Sequence, residues 1–430
     1  MDKQQRFNNV VKTIKKWAKA DDFTIQFYST DRELTRFANN MATQNISILK
    51  ESVSYTAYFD KKKATLSSAD ITEESIKNLV EKTENVARQS VEDKEYLPSL
   101  SESISEIPHH VADSALLSPE TRSQIVQKTV SQAQAEKVLA FGAISNELQG
   151  FGIAAKNGMQ NYYESSLVDY TNTVDINGEK GSSFCNGFDL KNIDTEKTFQ
   201  EALNDAQLLQ NRQEYEPGRY DVLFSAQAAT KLFVWLFYGL DRRAADEGYS
   251  PYSEKIGQTL IDERLSFYTD PQHPIVPSAP FDGDGLPVSK TAFIENGILK
   301  NLPCSRFWAQ KKSLHPIRFS NFILTDGENS EEELLSKLKD GFYIKDLWYI
   351  RMVKPENLTL TGMTRNGFFR VKDGKIVGGA THFRWNDSPL RMLKNIAGIG
   401  KGVANLDSWF RVFTPALLVK DFYLSSKTLF

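Results

Sequence analysis

Residues 232–241 read LFVWLFYGLD, and the apolar stretch 232–240 within them is the longest in the chain. On an expected helix over 226–245, Leu232, Phe233, Trp235, Leu236, Phe237 and Leu240 cover nearly the whole circumference. A helix that is apolar all round has no face to give to water, so it must lie at the centre of a domain or against a partner. The stretch is far shorter than the roughly 20 residues needed to cross a bilayer. Asp241, Arg242, Arg243, Asp246 and Glu247 follow as a solvated end with local ion pairs. A buried catalytic acid pair is the rival reading of that end, and nothing in the spacing favours it.

Working outward, residues 211–218 (NRQEYEPG) break both helical and strand periodicity and precede a strand at 220–224, which places the main boundary there. Downstream, Asn296-Gly297 and Asp373-Gly374 sit between alternating runs and predict two hairpins with type I′ turns, over 292–300 and 368–377. Ser330 and Ser388 are expected to cap helices over 331–339 and 389–396. The C-terminal half, 215–430, therefore reads as mostly antiparallel sheet around the central helix.

Upstream, Phe7, Val10, Val11, Ile14 and Trp17 give an amphipathic helix, followed by strand-like alternation over 22–28, 45–49 and 53–59. Thr72 is an N-cap with Glu73 and Glu74 in the first turn, and Ile76, Leu79, Val80 and Thr83 recur at helical spacing. Residues 97–118 are rich in Ser, Pro and acid and read as a linker or long surface loop. Ser118-Pro119 then opens another helix, strand-like runs follow over 138–142, 153–155 and 167–176, and Asp194 caps a helix running to about residue 209. The expected fold class is α+β, with an N-terminal α/β-mixed domain over 1–214.

The 430 residues carry 52 basic and 55 acidic side chains, a net charge of -3, so no global field draws the chain onto nucleic acid. The N-terminus shows no apolar core or small-residue cleavage site of a secretory signal. Cys185 and Cys304 have no paired spacing, which argues against a disulfide framework and fits a reducing cytoplasm. Each reads as an incidental thiol rather than a nucleophile.

Zinc hydrolysis needs about three side-chain ligands and a base, most economically His residues one helical turn apart beside a Glu. The five histidines, His109, His110, His273, His315 and His382, include no such pair. His109 and His110 read as solvated loop residues, His273 between two prolines as a turn residue, and His382 as a hydrogen-bonded strand residue. Residues 398–402 (GIGKG) lack the Ser/Thr and the spacing of a phosphate loop, and no nucleophile-elbow or dinucleotide fingerprint occurs.

Six short pieces occur in a fixed order: RFANN at 36–40, GRYDVL at 218–223, SPY at 250–252 with KIG at 255–257, DP at 270–271, FDGDGLP at 281–287 and IENGIL at 294–299. In this order and spacing the chain resembles the TldD/PmbA family, once called modulators of DNA gyrase. Zinc-bearing members carry His-Glu-x-x-x-His on a helix and a Cys near the C-terminal end. The resemblance puts Phe233 and Val234 at the His-Glu pair, Tyr238 at the second His, Asp241 at a following acid and Ile399 at the Cys, before Gly400-Lys401-Gly402. Residues 363–367 (MTRNG) and 60–63 (DKKK) depart from the family pattern.

The resemblance implies the PmbA/TldE-like branch, a metal-free subunit without catalytic residues or cofactor of its own. It would pair with a TldD-type zinc subunit in a cytoplasmic peptidase that handles extended or unfolded peptides. Arg36, Asp241, Asp282 and Asp284 are the candidate cleft residues, and the bulky side chains at the former zinc positions are expected to fill the pocket. A stand-alone homodimer that binds a peptide or other ligand without catalysis is the alternative, and a DNA regulator is disfavoured by the balanced charge.

Overall fold

The computed structural model describes residues 2–406 and 411–428. In the N-terminal half the elements are α1 (Lys3–Trp17), β1 (Asp22–Ala38), β2 (Met41–Phe59), β3 (Lys62–Ser68), α2 (Glu73–Gln89), α3 (Pro119–Ala135), β4 (Leu139–Ala155), β5 (Gln160–Ile176), β6 (Glu179–Gly187) and α4 (Thr195–Leu208). The helix starts are those the caps demand. Thr72 accepts from the Ser75 amide, Ser118 from that of Thr121, and Asp194 from that of Lys197. The strands run much longer than their alternation suggests: β1 and β2 pair antiparallel from Asp22↔Tyr58 to Ala38↔Met41. Polar residues on one face of these strands had masked the period.

These strands form one antiparallel sheet in the order β3-β2-β1-β4-β5-β6. Its two faces are used differently. Odd-numbered residues of β1, such as Ile25, Phe27 and Phe37, pack under the helices: α1 and α2 cover one end with Phe7, Val10, Ile14, Ile76 and Val80, and α3 and α4 cover the other with Val126, Val130, Phe199 and Leu203. Even-numbered residues, Tyr28, Thr30 and Arg32, point away from the helices. In the first turn of α3, Arg122 is 1% exposed, and its guanidinium reaches Glu33, Thr35, Asn45, Asn146 and the Leu117 carbonyl. A buried charge persists only where its donors are satisfied in this way.

The C-terminal half contains β7 (Gly218–Phe224), α5 (Ala226–Phe233), α6 (Arg242–Asp246), β8 (Phe267–Thr269), β9 (Thr291–Glu295), β10 (Ile298–Leu299), α7 (Arg306–Lys312), β11 (Phe322–Leu324) and α8 (Glu331–Lys337). It continues with β12 (Asp340–Lys354), β13 (Thr359–Lys372), β14 (Lys375–Gly379), β15 (Phe383–Asp387), α9 (Pro389–Lys394), β16 (Ile396–Asn405) and β17 (Val412–Lys427). Eleven strands form a second sheet, antiparallel apart from the parallel pairs β7/β12 and β11/β17. Both expected hairpins are present, with Asn296, Gly297, Asp373 and Gly374 at positive φ. Ser330 forms a full capping box with Glu333, whereas Ser388 makes no side-chain cap.

The single helix expected over 226–245 is a correction. α5 ends at Phe233, a 3-10 turn carries Val234–Phe237, and the chain reverses at Gly239, whose φ is +69°, before Asp241 caps α6. Only glycine takes that conformation cheaply. The reversal is held by Tyr252, whose hydroxyl donates to the Leu236 carbonyl at 2.5 Å, and by Ser250, which donates to the Gly239 carbonyl at 2.5 Å. Apolarity all round was real, but it belongs to two short elements meeting in one core.

Residues 97–118 are not a free linker. Leu100, Ile104 and Ile107 pack against Ile153, Met159, Tyr163 and Phe281, and the segment runs along the part of β5 that β6 leaves uncovered. The His110 amide donates to the Glu164 carbonyl and the Ser166 amide to the His110 carbonyl, both at 2.9 Å. This strap therefore supplies the missing ladder to an otherwise open strand.

Candidate functional site

Even-numbered β1 residues and their cross-strand partners build the floor of a groove of about 950 Å³. Register sets its rungs. Lys50, Thr30, Gln149 and Ser165 lie in one row; Tyr28, Phe151 and Tyr163 lie in the next; Ile48, Arg32, Glu147 and Leu167 lie in the row on the other side. The C-terminal half makes the opposite wall with Leu240, Asp241, residues 278–279 and 281–283, Pro303, residues 318–320, Leu406 and Arg411.

The wall and floor are locked to each other. Gln26 donates from Nε2 to the Gly283 carbonyl at 2.6 Å. Arg411 donates to the Tyr163 hydroxyl at 2.9 Å, to the Pro277 carbonyl at 2.6 Å and to Ser165 Oγ at 2.5 Å. Burial pushes the Tyr163 hydroxyl above its ordinary pKa, so it stays neutral. Arg318 clamps the loop at 281–287 by binding the Asp282 carboxylate and, at 3.2 Å, Asp284. Asp282 also accepts the amides of Asp284 and Leu286, which makes FDGDGLP a self-braced loop. Gly285 is required there: its φ is +83°, and a Cβ would lie 2.4 Å from Met159 Cε.

Of the expected cleft residues, Asp241 and Asp282 line the groove, and Asp284 stands beside it on Arg318. Arg36 does not line it. Arg36 is exposed near the far end of β1, beyond Arg32, because β1 extends to Ala38 instead of ending at Tyr28. Residue-by-residue reading missed Arg32, Glu147, Lys50, Arg318 and Arg411. Arg32 and Glu147 pair at 3.1 Å across β1 and β4, and the period of two in each strand was their one local signal.

Phe233 and Ile399 are buried in the same core, 3% and 9% exposed, and Val234 packs against it. Tyr238 is 42% exposed, beyond the end of α5, so it fills nothing; the expected packing of all four holds for Phe233 and Ile399, and in part for Val234. Hydrocarbon side chains at 233, 234 and 399 offer no donor atom, and these residues do not fit a zinc ion. Among the described residues, no group of three or more His, Cys, Asp or Glu is arranged to hold a metal.

His109 and His110 are ordered in the strap, with Nδ1 of His109 accepting the Glu164 amide at 3.0 Å and Nδ1 of His110 3.2 Å from the Tyr163 hydroxyl. His109 stays exposed, as expected, whereas His110 is half-buried, and partial desolvation lowers the pKa of both. His273 accepts amides of its own turn, and His382 lies 3.3 Å from Thr364 Oγ1.

Residues 217–426 match the family model described as PmbA/TldA metallopeptidase C-terminal domain. A metalloprotease of Methanothermobacter thermautotrophicus is 25% identical over 198 residues, 43% of either chain. One from Archaeoglobus fulgidus is 26% identical over 110 residues, 23% of this chain and 26% of that one. The matched regions thus span less than half the length of these curated relatives. TldE from Thermococcus kodakarensis superposes with a TM-score of 0.83 at 16% identity, over 97% of this chain and 99% of that one. A Thermotoga maritima protein described as a candidate modulator of a DNA gyrase gives 0.80 at 20% identity, over 98% and 100%. At such identities the likeness concerns the fold.

Proposed function

We propose that this chain, whose residues 217–426 match the PmbA/TldA metallopeptidase C-terminal domain, acts as the non-catalytic, metal-free subunit of a cytoplasmic peptidase of that family. The observation that carries the reading is the pairing of an intact groove with a donorless zinc position. Phe233 and Ile399 are core residues, while the groove floor of the six-stranded sheet is open and mixes polar with aromatic side chains. A chain built this way can hold a peptide, while positions 233, 234 and 399 supply no donor for a catalytic zinc.

Holding an extended peptide fits the sheet. Residues 41–52 of β2 pair with β1 alone among the described residues, since β3 begins to pair only at Val53. The backbone donors and acceptors of that edge are free to receive one more strand, and Ile48 and Lys50 on it face the groove. We place the unit boundary near 214, between a peptide-holding N-terminal part and the family domain.

Co-expression with a TldD-type subunit carrying the intact zinc motif tests this. A stable complex should form and cleave extended peptides in a chelator-sensitive way, while this chain alone should not. Cleavage by the stringently purified chain alone, insensitive to chelators, would remove the reading. A homodimer that binds peptide and ignores the zinc-bearing partner would replace it.

A further inference from the structure

Three aromatic rings climb out of the groove floor. Phe281 is 1% exposed at the base, Phe151 stacks on it at 5.2 Å between centroids, and Tyr28 stacks on Phe151 at 4.8 Å with 45% of its surface open. A stack buried at one end and open at the other is a platform for a further ring or large apolar side chain, which gains from both area and offset stacking.

The charged side chains named around the platform sum to zero, and they differ in how each is engaged. Arg32 is engaged by Glu147, and Arg318 by Asp282 and Asp284. Arg411 is spent on Tyr163, Ser165 and the Pro277 carbonyl, and Asp241 caps α6 by accepting the Ala244 amide. Lys50 makes no ion pair among the described residues and is exposed on the groove face. Lys50 lies in the rung next to Tyr28, since Thr30 is opposite Lys50 and Tyr28 is two residues away on β1. Two residues of an extended chain span about 6.7 Å, the same step that separates the rungs.

We propose that the groove selects extended peptides in which an aromatic side chain, seated on the Tyr28–Phe151–Phe281 stack, is separated by one residue from a carboxylate that reaches Lys50. The inference rests on the peptide-holding reading and adds to it a sequence preference that backbone pairing alone does not give.

The test uses fluorescein-labelled octapeptides of Ser, Thr and Gly containing Phe-x-Asp or Asp-x-Phe, read by fluorescence anisotropy with the full chain. Replacing Phe by Ser should weaken binding on the order of tenfold. Replacing Asp by Lys should weaken it roughly threefold to fivefold, the range of an exposed pair. In Lys50→Glu the preference should invert, so that the Lys peptide becomes the tighter one; Tyr28→Ser should lose the ring preference and keep the charge preference. Equal affinity for all peptides, or a charge preference unchanged in Lys50→Glu, overturns the inference and leaves peptide holding intact. Failure of every peptide to bind removes both.

Discussion

The ammonium of Lys345 on β12 lies 2.5 Å from a carboxylate oxygen of Asp205 on α4, so a nearly buried ion pair joins the second sheet to the helices of the first. Tyr343, two residues before Lys345, donates to Glu331 in the same layer. Burial raises Asp205 to about 6 despite Lys345, which means that desolvation costs its anion more than the partner returns.

That balance sets a pH dependence. A carboxyl whose folded pKa exceeds its unfolded value stabilises the fold fully below the unfolded value and loses this as pH rises through about 6. His382 has the opposite sign: burial, then Arg212 and Arg365, lowers it to about 4, so its contribution is complete above about 6.5 and is lost as pH falls through about 4. Each amounts to roughly 3 kcal/mol, and the two nearly cancel between pH 4 and 6.5. Asp205→Asn should therefore lose stability on acidification across that window, and His382→Gln should gain it. Urea titrations at pH 4.5, 5.5 and 6.5 check this; parallel profiles for wild type and both variants would refute it.

Zinc positions should respond unequally to substitution. Phe233→His puts an imidazole into a 3% exposed core site and should cost about 3 kcal/mol. Tyr238→His, on an exposed turn, should change stability by less than about 0.5 kcal/mol. The combined change with Val234→Glu and Ile399→Cys should be insoluble or strongly destabilised and take up no zinc, because 233 and 238 sit on different elements. Elemental analysis showing about one zinc in a soluble quadruple variant would mean that the chain between these positions can rewind.

Gly285→Ala should destabilise by about 2 kcal/mol through two separable causes, positive φ and the Met159 contact. Met159→Ala in the same chain should recover only the steric part. A double-mutant cycle with no coupling between 285 and 159 would show that loop 281–287 does not seat against Met159.

Local chemistry was legible in the sequence; cross-strand chemistry was not. Thr72, Ser118 with Pro119, Asp194 and the two turn dipeptides each act within four residues, and each fell where its spacing put it. The break after Phe233 escaped because one glycine, Gly239, outweighs eight apolar neighbours once Tyr252 and Ser250 hold the reversal from more than ten residues away. Arg32 with Glu147 and Arg411 with Tyr163 are more than a hundred residues apart in sequence, and only register brings them together. Family resemblance found the loop at 281–287; it did not show that Arg318 clamps it.

The strap over β5 and the bare edge of β2 give the first sheet a polarity. Where the strap lies, the β5 ladder is already occupied, and beside the groove the edge left to a visiting strand among the described residues is 41–52 of β2. A second copy that used this address would do so edge to edge, and both addresses would then be consumed. Growth through this edge stops at two chains and cannot propagate as a fibre. The same edge is thus open to a guest and closed to a polymer.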